Sequence, residues 1–146
     1  MEQNYITFLE KCRHLEPPID IESMVHNMGI QTYYDAFRSF NGFTLLDNTG
    51  ICIMINDTLS KQKQRFTLAH ELKHCLENEM AFHGKNKGSQ ERIEQEANWF
   101  AGKLLVPDIA LEYFYYNKTS NIAELADVFW VTEQTIEIRL KEIGIL

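Results

Sequence analysis

An α+β architecture is predicted for this 146-residue chain, with a short antiparallel sheet packed on a central helix and a helical C-terminal part. Three observations predict it. Extended runs at 30–34, 42–46 and 51–56 read as strands, the last two joined by the hairpin signal Asp47-Asn48-Thr49-Gly50. Two longer segments, at 59–80 and 91–105, carry apolar residues at helical spacing. Beyond 119, paired capping and stop residues mark two further helices.

Taken in order, residues 4–14 form a first helix, which Pro17-Pro18 brings to an end. Asp20 caps a second helix through Met28, with Gly29 at its stop. After the strands, Asp57, Thr58 or Ser60 supplies the N-cap of a long helix free of Gly and Pro. Its core-facing stripe is Phe66, Ala69, Leu72, Cys75 or Leu76, and Met80. The run 83–89 reads as a mobile basic loop, and its His83 as a solvated side chain rather than a ligand. Ile93, Ala97, Phe100, Ala101, Leu104 and Leu105 mark the next helix, ending before Pro107. Tyr113, Phe114, Tyr115 and Tyr116 form an aromatic cluster expected mostly in the core, with one hydroxyl within reach of a cleft. Ser120 or Asn121 caps a helix through Val128, and Thr132 caps another through Lys141, stopped by Gly144.

The chemistry is concentrated in His70-Glu71-Leu72-Lys73-His74. Two histidines four apart on a helix stack on one face, so their ring nitrogens can converge on one metal at about 2.0–2.1 Å. Glu71 is rotated about 100° from His70, which sets its carboxylate beside the ion, where it can take a proton from an activated water. This is the HExxH arrangement of zinc peptidases. A helix with two incidental histidines is the plain alternative, and the amphipathic context weighs against it, because buried His and Glu side chains require partners.

Catalytic zinc usually takes three protein ligands and leaves the fourth position open. The helix over 91–105 is the source of the third. Glu94, Ala97, Asn98 and Ala101 share one of its faces, and the alanines allow close approach to the histidine helix. Glu94 then points inward as the ligand. Asn98, one turn on, can hydrogen-bond a ligating group and orient it. Glu96, rotated about 200° from Glu94, is expected in solvent and is the alternative ligand if the helix is shifted. Glu91 is a weaker candidate on nearly the same face as Glu94.

His70-Glu71-Leu72-Lys73-His74, the run 94–107 (EQEANWFAGKLLVP) and the closing pattern over 123–146 together resemble the ImmA/IrrE family of zinc metallopeptidases. The resemblance spans residues 20–146 and implies a small zincin-like α+β domain. It implies one zinc ion held by His70, His74 and Glu94, with Glu71 as catalytic base. It also implies an endopeptidase acting on a helix-turn-helix repressor of a phage, mobile element or stress response. Lys73 departs from the glycine common at that position in the family, and is expected to face solvent as a good helix former. Some relatives carry a further DNA-binding or sensor domain, for which this chain has no room; residues 1–146 are expected to form one peptidase domain.

Composition agrees. The chain is 45% hydrophobic and 24% charged, suited to one compact domain. Its N-terminus lacks the basic and apolar regions of a signal peptide, and no apolar run approaches a membrane span, so a cytoplasmic protein is expected. Cys12, Cys52 and Cys75 show no CxxC pairing, and Cys75 reads as a small buried apolar residue. The net charge of −7 sits on the two flanks, while 61–107 is mildly basic. An acidic protein does not attract nucleic acid, but can attract a basic DNA-binding protein as substrate. Residues 119–146 fit the apolar skeleton of a helix-turn-helix. Glu133, Glu137 and Glu142 on its second helix argue against DNA binding, as does Trp130 in a turn that favours glycine. That tail is expected to pack on the domain. The alternative to a protease is a catalytically silent zinc-binding regulator that acts by binding a repressor or toxin; a purely structural site has no use for Glu71.

Overall fold

The structure is a computed structural model that describes residues 4–79 and 87–146, without the side chains of 87–89. Helices α1 (Asn4–Cys12) and α2 (Ile21–Asn27) lead into strands β1 (Gln31–Asp35), β2 (Gly42–Asp47) and β3 (Gly50–Asn56). Helices α3 (Lys61–Leu76), α4 (Lys87–Leu105), α5 (Asp108–Asn117), α6 (Ile122–Phe129) and α7 (Glu133–Glu142) follow. The expected caps are in place: Asp20 accepts from the Ser23 N–H, Ser60 from Lys63, Asn121 from Glu124 and Thr132 from Thr135. Met80 and His83 lie outside the described residues, as does most of the expected loop; positions 87–89 are already the first turn of α4.

The sheet departs from the expectation of an antiparallel one. Its order is β1-β3-β2, with β2 antiparallel to β3 through the hairpin but β1 parallel to β3. The run Ile51-Cys52-Ile53-Met54-Ile55, apolar at every position, suits a central strand covered on both faces, but the direction of β1 is set by the connection. The connection over 36–41 therefore carries the chain from one side of β3 to the other. Buried Asn56 stitches it down: its side-chain amide donates to the carbonyls of Phe37 and Phe40 at 2.8 and 3.1 Å.

Ile53 and Ile55 turn one face of β3 to α3, where they join Leu68, Ala69 and Leu72 in a core cluster that runs from Tyr5 to Leu140. Register then decides what else faces α3. Thr44 pairs with Ile53 and Gly42 with Ile55, so both share that face. At Gly42 the approach is so close that a Cβ would stand 2.6 Å from Thr67 Cγ2.

Helix α3 is covered on most of its circumference, and this overturns the expectation for Lys73. Its side chain is fully buried rather than solvent-facing, because α1 and α4 close over that flank. The ammonium lies 3.0 and 3.1 Å from the two Glu79 oxygens, 3.2 Å from Glu96 and 4.9 Å from the centre of the Tyr5 ring. Glu96 is thereby drawn from solvent into a half-buried ion pair. Of the aromatic cluster, Tyr113 and Tyr116 are exposed while Phe114 packs on Phe129.

The turn between α6 and α7 is left-handed at Trp130 (φ 54°, ψ 53°) although the residue is bulky. Arg65 holds it there: its guanidinium lies 4.9 Å from the Trp130 ring centre, and its Nε donates to the Trp130 carbonyl at 3.1 Å. Among the described residues, no helix is long and apolar enough to cross a membrane.

Candidate metal centre

Helices α3 and α4 pack closely because Ala97 and Ala101 are fully buried between them. The contact brings His70, His74 and Glu94 together. His70 Nε2 lies 2.7 Å from Glu94 Oε2, His74 Nε2 lies 3.1 Å from Glu94 Oε1, and the two Nε2 atoms are 3.2 Å apart. Glu96 points instead to Lys73, and Glu91 is exposed.

The other ring nitrogens fix the tautomers. His70 Nδ1 donates to Asn98 Oδ1 at 2.7 Å, and His74 Nδ1 donates to Glu79 Oε1 at 3.0 Å. Both Nε2 lone pairs are thereby aimed at the Glu94 carboxylate. Three lone-pair donors facing one another repel unless a cation stands among them. An ion bound tetrahedrally at about 2.0–2.1 Å separates its donors by about 3.3 Å, close to the spacing observed. The donor set, nitrogen-nitrogen-oxygen, suits zinc. The residues fit the ion.

In the metal-free protein a proton takes the cation's place. Burial alone would lower the His74 pKa, but hydrogen bonds to Glu79 and Glu94 outweigh it and raise it to about 9. The nearness of the His70 and His74 Nε2 atoms, 2.7 and 3.1 Å away, holds Glu94 well below the usual carboxylate range. Glu79 is also lowered: burial pushes it up, and the hydrogen bonds from His74 and Lys73 overcome that.

Glu71 stands behind this triad, buried, with Thr44 Oγ1 donating to its Oε2 at 3.1 Å. Burial raises its pKa despite the two neighbouring imidazoles and the Thr44 hydrogen bond, which act to lower it. A carboxylate raised toward neutrality accepts and returns a proton more readily than an ordinary surface Glu. Cys75 is inert by the same physics, burial pushing its thiol up to about 11.

The cleft in front of these groups has a volume of about 750 Å³. Phe40 and Phe43 line it, packed together at 5.8 Å between ring centres, and Gly42, Phe43 and Thr44 of β2 form one wall. None of the tyrosines over 113–116 lines it.

Two site residues were not evident beforehand. Thr44 reaches Glu71 only through the strand register. Glu79 returns to His74 because Asn78 adopts a left-handed conformation (φ 54°) past the end of α3, letting the Glu79 N–H bond the His74 carbonyl at 2.9 Å. Asn two residues beyond a helical stretch was the available signal. Glu79→Gln keeps an acceptor for His74 but loses the charge; zinc affinity is expected to fall about 10–100-fold, read by competition with a chromophoric chelator.

The family model for the IrrE N-terminal-like domain, a peptidase family, matches residues 25–141. Among solved structures, a Mycobacterium tuberculosis transcriptional regulator shares the fold at a TM-score of 0.68 and 17% identity, over 93% of this chain and 45% of that one. The chain thus spans less than half the length of that regulator. Among curated proteins, none matches significantly.

Proposed function

The chain belongs to the IrrE N-terminal-like family of peptidases, and from that premise we propose that it is a zinc-dependent endopeptidase whose substrate is a helix-turn-helix repressor. The observation that carries this reading is the convergence of His70, His74 and Glu94 with a buried Glu71 directly behind them. His70, His74 and Glu94 would hold the ion. When bound, zinc supplies Lewis-acid chemistry, lowering the pKa of a water and polarising a peptide carbonyl. Glu71 takes the proton of the attacking water and returns it to the leaving amine, while Thr44 holds its carboxylate in place. Asn98 and Glu79 keep the two imidazoles in the ligating tautomer.

Strand β2 is an edge of the sheet and lines the cleft, so its free backbone edge can pair with an extended peptide. A protein rather than a nucleic-acid partner is supported by α7. Its Arg139 is buried, bonded to the Val106 carbonyl, Glu142 and Asp108, and the residues left exposed include Glu133, Glu137 and Glu142 against one base, Lys141. A surface with more acids than bases offers phosphate little attraction. We read residues 1–146 as one peptidase unit, with 119–146 as a helical tail packed on it. The charge of −7 suits a basic DNA-binding substrate in the cytoplasm.

The test is incubation of the zinc-loaded protein with a candidate repressor, such as one encoded beside it, with and without chelator. Cleavage that chelator abolishes and zinc restores is expected. Binding without cleavage in the presence of zinc would favour the silent regulator instead. Proton linkage offers a separate check. Because His74 is protonated below about 9 in the metal-free protein, zinc affinity should rise with pH from 6 to 9. Calorimetry at pH 7 in buffers of different ionisation enthalpy should register release of about one proton per zinc.

A further inference from the structure

We propose that the substrate groove continues past the cleft into a second chamber walled by α7, which receives a large apolar side chain of the peptide. The inference rests on the endopeptidase reading and adds a specificity site to it.

The chamber has a volume of about 530 Å³ and adjoins the cleft: Asn41, Phe66, Thr67 and Asn98 line both. Helix geometry explains the continuity. On α4, Gln90, Glu94 and Asn98 line the cleft, and Asn98 and Gly102, further along the same ridge, line the chamber. On α3 the corresponding steps run back from His70 through Phe66 to Lys63. The groove thus follows the seam between the two helices away from the metal centre. Gly102 contributes no side chain, and that absence admits α7, since a Cβ there would already meet Arg139 Cδ at 3.3 Å.

The lining specifies the occupant. Leu59, Phe66, Trp99 and Ile138 supply an apolar surface among polar neighbours that include Gln95, Thr132, Gln134 and Thr135, and Ile138 is 49% exposed on α7. The charged lining residues are Lys63, Arg139 and Glu142, the last two paired with each other at 2.8 Å. An apolar side chain gains most from leaving water there. One to two helical steps of four residues separate Glu94 from the chamber, about 6–12 Å at 1.5 Å per residue. An extended chain covers that distance in about two to four residues at 3.3 Å each. The favoured residue therefore lies two to four positions from the scissile bond, on one side only. Helix α7 thereby acquires a role as a wall of the groove.

The experiment is cleavage profiling of a denatured-proteome peptide library by the zinc-loaded wild type, Ile138→Trp and Ile138→Ala, with Tyr116→Ala, outside both cavities, as reference. Wild type and Tyr116→Ala should share a preference for large apolar residues at one position two to four from the cut. Filling the chamber in Ile138→Trp should lower kcat/KM for such peptides about 10-fold relative to peptides with a small residue there. Ile138→Ala should shift the preference toward larger rings. A preference identical in all four proteins, or none for apolar residues at those positions, overturns the second chamber while leaving proteolysis intact. Absence of any cleavage removes the endopeptidase reading and the inference with it. A direct measurement stands beside the profiling: an apolar peptide should bind Glu71→Gln more tightly than its truncation ending short of the chamber, and equal affinities contradict the proposal.

Discussion

Glu71→Gln is expected to retain zinc and lose cleavage by a factor of about 10²–10⁴, the range that a positioned general base contributes. Gln has nearly the shape of Glu and can still accept the hydrogen bond that Thr44 makes at 3.1 Å, so the fold and the triad in front of it should stand unchanged. What disappears is the group that accepts a proton. The measurement is paired: metal content of the purified variant, and rate of cleavage of a repressor substrate. Normal cleavage by a zinc-loaded Glu71→Gln protein would remove Glu71 from the mechanism.

Lys73→Met is expected to cost about 3–5 kcal/mol of stability, the usual consequence of removing one partner of a buried charge network. Met follows the stem of Lys and leaves no large cavity. It does leave Glu79, only 12% exposed, without the cation 3.0 Å away, and leaves Glu96 facing it across the gap. The ring of Tyr5, 4.9 Å from the ammonium, loses its cation as well. Urea unfolding of the metal-free proteins measures the effect. A loss below about 1 kcal/mol would place Lys73 in the class of exposed pairs and contradict its burial. Since Glu79 also carries the His74 Nδ1 proton, the variant should bind zinc more weakly than the wild type even where it is fully folded.

Local rules made much of this legible from the residues alone. The i, i+4 spacing of His70 and His74 and the shared face of Glu94 and Asn98 depend only on helix pitch, and the structure brings these four side chains together. Asp20, Ser60, Asn121 and Thr132 cap their helices for equally local reasons. What stayed hidden depends on which element covers which. The burial of Lys73 follows from α1 and α4 closing on α3, and nothing in the sequence periodicity of α3 announces it. The parallel pairing of β1 with β3 is a choice between distant segments, which no local pattern decides. Trp130 adopts a conformation its own side chain disfavours because Arg65, from α3, holds both its ring and its carbonyl. Thr44 joins Glu71 through register, and Glu79 joins His74 through one left-handed asparagine.

The central claim is that one zinc ion is held by His70, His74 and Glu94. Zinc K-edge absorption on the stoichiometrically loaded protein, compared with Glu94→Ala and Glu96→Ala, tests it most directly. The wild type should show two imidazole nitrogens and protein oxygen at about 2.0–2.2 Å. Glu94→Ala should lose or severely weaken the ion, and Glu96→Ala should keep the wild-type spectrum. A zinc environment without paired imidazoles, or one that survives Glu94→Ala and changes in Glu96→Ala, would contradict the site.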